Sequence, residues 1–134
     1  HSLMLACTKL GIQLSVASPL EYEPSEEFRS EFTTLTHSVA EATQDADVIY
    51  TDVWSSMGQE RDAVRRKKIF SGYQISMKLL DEYAKPEAIV LHCLPAHRGE
   101  EITAEVIDKH EATILNQAEN RLHAQKAILL SLMS

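Results

Sequence analysis

The sequence predicts an α/β fold built on a doubly wound, mostly parallel sheet, and three observations carry that prediction. Runs of strand character alternate with runs of helical periodicity along all 134 residues, the pattern of repeated βαβ units. The strand runs are short, apolar and rich in β-branched residues, as buried strands are. The chemically distinctive residues fall at the ends of those runs, and open parallel sheets bind ligands at the carboxyl ends of their strands.

The elements follow in order. His1 to Leu10 reads as helix interior, with Leu3, Cys7 and Leu10 on one stripe and Gly11 at the C-terminal cap. No initiator Met or capping residue precedes it, so the expectation is a piece of a longer chain. Ile12 to Ser18 is a strand that ends before Pro19. Ser25, with Glu26 and Glu27 behind it, opens a helix. Ser38 and Glu41 have capping-box spacing and open a short helix to Gln44. Asp45-Ala46-Asp47 turns into a strand over 48–53. Gln59 to Lys68 is helical, Ser71-Gly72 interrupts, and Gln74 to Ala84 is helical again, with Ile75, Leu79 and Tyr83 on one side. A strand covers Ile89 to Leu94. Thr103 caps a helix through Asp108, Ala112 to Asn116 is the last strand, and Ala118 to Leu132 is the last helix, with Leu122, Leu129 and Leu132 apolar.

Composition narrows the classes. The chain is 44% hydrophobic and 25% charged, and its length fits one domain with one core. A net charge of −7 argues against a general nucleic-acid binder. Cys7 and Cys93 are the only cysteines and lie far apart, so the expectation is a reducing, cytoplasmic setting. No apolar run approaches the roughly 20 residues that span a bilayer.

Three strand ends could carry chemistry. After Ala88-Ile89-Val90-Leu91 come His92-Cys93-Leu94-Pro95, and Pro95 stops ladder pairing, so the strand delivers an imidazole and a thiol to the sheet edge. The alternative is a buried Cys beside a hydrogen-bonded His. The strand before Asp52 leads into Trp54-Ser55-Ser56-Met57-Gly58, a hydroxyl-rich loop able to close over a ligand while Asp52 holds an ammonium group. The alternative is an ordinary strand-to-helix turn. Arg121 falls in the first turn of the expected last helix, where anions already bind and its guanidinium adds a fork for phosphate or carboxylate. A surface pair with Glu119 is the alternative.

Metal and nucleotide chemistry are not expected. His92, Cys93 and His97 are close in sequence, but neighbours on a strand face opposite ways and the spacing fits no structural zinc pattern. Neither GxGxxG nor GxxxxGK[ST] is present. No cofactor is indicated.

Asp52-Val53-Trp54-Ser55-Ser56-Met57-Gly58, His92-Cys93-Leu94-Pro95 and Asn116-Gln117-Ala118-Glu119-Asn120-Arg121-Leu122-His123-Ala124-Gln125 closely resemble the ornithine carbamoyltransferase family. The resemblance covers the whole chain in order, and its SMG and HCLP motifs together are specific. It implies a Rossmann-like L-ornithine-binding domain over residues 1–134, and transfer of a carbamoyl group from carbamoyl phosphate to the δ-amino group of L-ornithine, giving L-citrulline and phosphate. By that analogy Asp52 holds the ornithine α-amino group, with Ser56 and the Met57 backbone at the amino-acid end. Cys93 lies by the reacting δ-amine. The backbone at Cys93 and Leu94, together with Arg121, meets carbamoyl phosphate. His92 and Glu101 stand behind and tune the thiol.

The chain departs from the family in what it lacks. The Ser-Thr-Arg-Thr-Arg and His-Pro-Thr-Gln segments of the carbamoyl phosphate domain are not in it, nor are the domain's first strand and the Asn that meets the ornithine carboxylate. The expectation is an inactive fragment of an enzyme that is a homotrimer when intact. The rival readings are a non-catalytic amino-acid-binding or interaction domain of the same fold, and a related carbamoyltransferase with another amine acceptor.

Overall fold

A computed structural model of the chain describes residues 1–55 and 62–133. It is an α/β structure in which every strand pair runs parallel. Helix α1 (Ser2–Leu10) ends where Gly11 takes φ 67°, so the Gly11 and Ile12 N–H groups reach the carbonyls of Thr8 and Cys7. Its buried residues are Met4 and Cys7, whereas Leu3 and Leu10 of the expected stripe are exposed. Strand β1 (Leu14–Ala17) follows. Two single 3₁₀ turns, Leu20–Tyr22 and Glu26–Phe28, lead to β2 (Thr33–Thr36). The Ser25 hydroxyl caps nothing, and the helix expected there is only the second of these turns.

Helix α2 (Val39–Thr43) starts as its sequence requires, with the Ser38 hydroxyl accepting the Glu41 N–H at 3.2 Å. The Glu41 carboxylate turns away from the reciprocal bond and takes the Thr36 hydroxyl. Strand β3 (Val48–Thr51) precedes α3 (Ala63–Phe70) and α4 (Met77–Tyr83), where the Ser76 hydroxyl caps Leu79 N–H at 3.2 Å. Strand β4 (Ile89–His92) then leads into α5 (Ala104–Met133).

Among the described residues four strands form two parallel pairs, β1 with β2 and β3 with β4. The second pair positions the site. Val48 stands beside Ile89 and Thr51 beside His92, so Asp52 and Cys93 leave the ladder side by side. Alternation sends Ile49, Val90 and His92 inward, while Val48, Tyr50 and Ile89 remain on the open face. Ile49 and Val90 join Ile75, Leu80, Ile102, Val106 and Ile107 in one core cluster. Ile102, with no exposure at all, contributes about 2–3 kcal/mol by burial.

The segment after β4 corrects two expectations. Ala112 to Asn116 is not a strand but part of α5, which runs on past a non-helical His110 (φ −109°, ψ 15°). The apolar run there is short, and periodicity alone does not separate a strand from a buried helical turn. No Gly or Pro occurs between Thr103 and Met133, and Ile107 and Ile114, seven residues apart, are both buried. Thr103 precedes the helix, but its Oγ1 is buried without a partner and does not cap it. Leu122, Leu129 and Leu132 are exposed. Among the described residues no helix is long and apolar enough to cross a membrane.

Candidate active site

The ends of β3 and β4 open into a cavity of about 630 Å³ whose walls include Asp52, Trp54, Cys93, Leu94, His97 and Arg121. The sequence-expected Asp52, Cys93, Leu94 and Arg121 therefore share one cleft. Ser56 and Met57 lie outside the described residues.

Asp52 and Cys93 touch. The thiol donates to Asp52 Oδ1 at 2.9 Å, and the same oxygen accepts the Val53 N–H at 2.7 Å. Burial pushes the Cys93 thiol up to about 11, and the hydrogen bond to Asp52 and that residue's charge add to the rise. At neutral pH Cys93 thus keeps its proton, a thiol that donates a hydrogen bond to the Asp52 carboxylate and not a thiolate. Tyr50, two residues before Asp52 on the same face, is also raised, by burial first and then by the nearby Cys93 and Asp52.

Behind this edge His92 and Glu101 are both fully buried. His92 Nδ1 accepts the Leu94 N–H at 2.9 Å, which leaves Nε2 as the donor to Glu101 Oε1 at 3.1 Å. Glu101 Oε1 also accepts the His97 N–H at 2.6 Å. Glu101 Oε2 has no hydrogen-bond partner and lies 3.8 Å from His97 Nδ1. The pair acts on the backbone beyond Cys93. Leu94 sits at φ 55°, followed by a cis bond to Pro95, and a left-handed residue with a side chain costs about 1–2 kcal/mol. The His92 ring holds that amide in place. Gly99, at φ 84°, lets the next turn close with its N–H on the Ile102 carbonyl. The Gln74 side chain ties the turn to α4's approach by donating to the Gly99 and Glu100 carbonyls.

The other wall is fastened through aromatic rings. Trp54 stacks on Phe70 of α3 at 6.2 Å, and its carbonyl accepts from Arg66 Nη1 at 3.3 Å. Lys67 of α3 pairs with Glu100 at 2.9 Å, joining α3 to the turn after β4.

Arg121 reaches the cleft from mid-helix. Because α5 begins at Ala104, Arg121 does not stand at a helix N-terminus, and the expected help of a helix dipole is absent. Sequence reasoning missed Tyr50, Gln117 and Lys67. Two of them carried a signal: Tyr50 is two residues from Asp52 on a strand, and Gln117 is four from Arg121 on a helix. Gln117 Oε1 accepts the His92 backbone N–H at 2.9 Å, so α5 and β4 meet at this point.

Parallel strand ends that place a carboxylate, a thiol and a guanidinium around one cleft define a small-molecule site of the kind α/β proteins build at their strand ends. Residues 1–132 match the family described as aspartate/ornithine carbamoyltransferase, Asp/Orn binding domain, and the chain belongs to that family. It is 50% identical to the ornithine carbamoyltransferase of Thermococcus kodakarensis, over 99% of this chain and 45% of that protein. The anabolic ornithine carbamoyltransferase of Pyrococcus furiosus is 51% identical over the same shares. The crystal structure of anabolic ornithine carbamoyltransferase from Campylobacter jejuni superposes with a TM-score of 0.91 at 38% identity, over 98% of this chain and 46% of that one. The Pyrococcus furiosus structure gives 0.86 at 50% identity, over 96% and 44%. The chain thus spans less than half the length of these relatives.

Proposed function

We propose that the chain is the L-ornithine-binding half of an ornithine carbamoyltransferase. The Asp52–Cys93 contact at the paired ends of β3 and β4 carries this reading. Asp52 is an anion at the cleft wall and takes the α-amino group of ornithine. Ser56 and Met57 complete the amino-acid end. Cys93, protonated at neutral pH, orients the δ-amine through its sulfur and does not abstract the amine's proton.

The δ-amine must be neutral to attack, and free alkylamines titrate near about 10. A cleft that sheds water and carries the Arg121 guanidinium lowers that value. The nitrogen lone pair forms the new C–N bond as the C–O bond to phosphate breaks. Phosphate leaves with the electron pair, and the nitrogen's proton passes to it. Arg121 faces the developing negative charge, and the backbone at Cys93 and Leu94 contacts carbamoyl phosphate. Holding two substrates in register supplies much of the acceleration. The His92–Glu101 pair serves by fixing Leu94, not by touching the thiol.

In this reading the carbamoyl phosphate domain comes from outside residues 1–134. The isolated chain has no useful turnover, and the intact enzyme is a cytoplasmic homotrimer. Steady-state kinetics of the full-length enzyme test the assignments. Asp52→Asn raises KM for ornithine, and Arg121→Ala raises KM for carbamoyl phosphate. The reverse pattern, or no change in either constant, refutes them.

A further inference from the structure

We infer that Gln117 is a positioning residue that places Arg121 over the cleft. Helix α5 is not aimed by its own first turns. His110 is non-helical (φ −109°, ψ 15°), so the course of the helix beyond it depends on what its later turns touch. Those turns touch little. Ile114 is buried, Gln117 is part-buried, and every described residue from Ala118 to Met133 is exposed. Arg121 belongs to that exposed stretch and still lines the cleft. Among the described residues the last hydrogen bond from α5 to the rest of the chain is the one at Gln117, whose Oε1 accepts the His92 N–H at 2.9 Å. An edge strand must find acceptors for its free N–H groups. At His92 a helix side chain takes the place of a neighbouring strand. Gln117 and Arg121 stand four residues apart, so they share a face, with Arg121 about 6 Å farther along the axis. Tying Gln117 to the residue before Cys93 therefore fixes the guanidinium against the thiol. His92 is also held by its pairing with Thr51 and by its ring, which meets Leu94 N–H and Glu101. Of the two elements joined by the Gln117 bond, α5 is the one that moves when the bond is lost.

The inference rests on the carbamoyl-transfer reading only for what Arg121 binds, and its first test needs no substrate. Energy transfer from Trp54 to a dansyl group on Gln125→Cys, with Cys7→Ser and Cys93→Ser, measures where α5 lies. Trp54 is a fixed point, stacked on Phe70 and tied through its carbonyl to Arg66. Gln117→Leu removes the acceptor at similar volume, and Gln117→Asn falls one methylene short of it. Both shift the transfer efficiency and widen the distribution of distances at unchanged helix content. Gln117→Glu keeps an acceptor at the same reach and holds the wild-type distance. In the full-length enzyme Gln117→Leu raises KM for carbamoyl phosphate about three- to tenfold, what one hydrogen bond contributes, and leaves KM for ornithine in place. In an Arg121→Ala background it adds nothing, because the group it places is gone. A role confined to stability would lower the melting temperature, leave the distance as it was and act alike in both backgrounds. Wild-type transfer in folded Gln117→Leu and Gln117→Asn, or a distance in Gln117→Glu shifted as far as theirs, overturns the inference. If the distances shift but Arg121→Ala leaves KM for carbamoyl phosphate unchanged, the placement stands and the transfer reading of Arg121 falls.

Discussion

Removing Glu101 reports how firmly the buried His92–Glu101 pair holds the turn after β4. In Glu101→Ala, the fully buried His92 Nε2–H and the part-buried His97 N–H lose their common acceptor, itself fully buried. A buried unsatisfied donor costs about 1–3 kcal/mol, so two cost about 4 kcal/mol together. Release of Leu94 from φ 55° returns about 1 kcal/mol. The net loss is about 3 kcal/mol, or about 10 °C in melting temperature for a domain of this size. Glu101→Gln separates the pairing from the charge. Its carbonyl keeps both donors, and its NH2 replaces the unpartnered Oε2, 3.8 Å from His97 Nδ1. That variant loses only about 1 kcal/mol, the difference between charged and neutral acceptors. Urea titration followed by circular dichroism measures both. An alanine variant within about 0.5 kcal/mol of wild type, or a glutamine variant as damaged as the alanine one, refutes the reasoning.

Stability should also fall in alkali. Cys93 titrates at about 11 in the folded chain against 9.0 ordinarily, so the folded state holds its proton more tightly. The contribution is whole below about pH 9 and is lost as pH rises through 11, up to about 2 kcal/mol once partial exposure is allowed for. Urea midpoints should lose that part of their slope in Cys93→Ser. Ile102→Ala empties a fully buried core position and should cost about 3–4 kcal/mol by the same titration. Ala118→Pro tests the continuity of α5. Inside a helix it costs about 3 kcal/mol, whereas proline at the first position of a fresh helix would be tolerated. Wild-type stability in that variant would restore the strand at Ala112 to Asn116.

The sequence was most legible where local chemistry permits a single structure. Gly11 could end α1 in the left-handed region, and Ser38 could reach the Glu41 amide three residues on. Strand alternation sent His92 into the core and Cys93 to the cleft, as neighbours on any strand must go. Strand β2 was invisible because Thr33-Thr34-Leu35-Thr36 has no apolar run, and only pairing with β1 makes it a strand. Ala112 to Asn116 carried a strand's composition without the turn residues that would isolate it, and the surrounding helix absorbed it. Asp52, Cys93 and Arg121 could be named from their motifs. Tyr50 and Gln117 had only their spacing to point to them, because their place at the site is set once β3 lies in register on β4 and the Gln117 side chain of α5 accepts the His92 N–H.

The central claim is that the cleft between Asp52 and Cys93 receives L-ornithine. Trp54 lines that cleft and is the chain's only tryptophan, so its fluorescence reports occupancy directly. The account predicts a saturable change when L-ornithine is titrated into the chain, lost in Asp52→Asn and absent with D-ornithine or putrescine. Equal responses to putrescine and L-ornithine, or a response indifferent to Asp52→Asn, would contradict it.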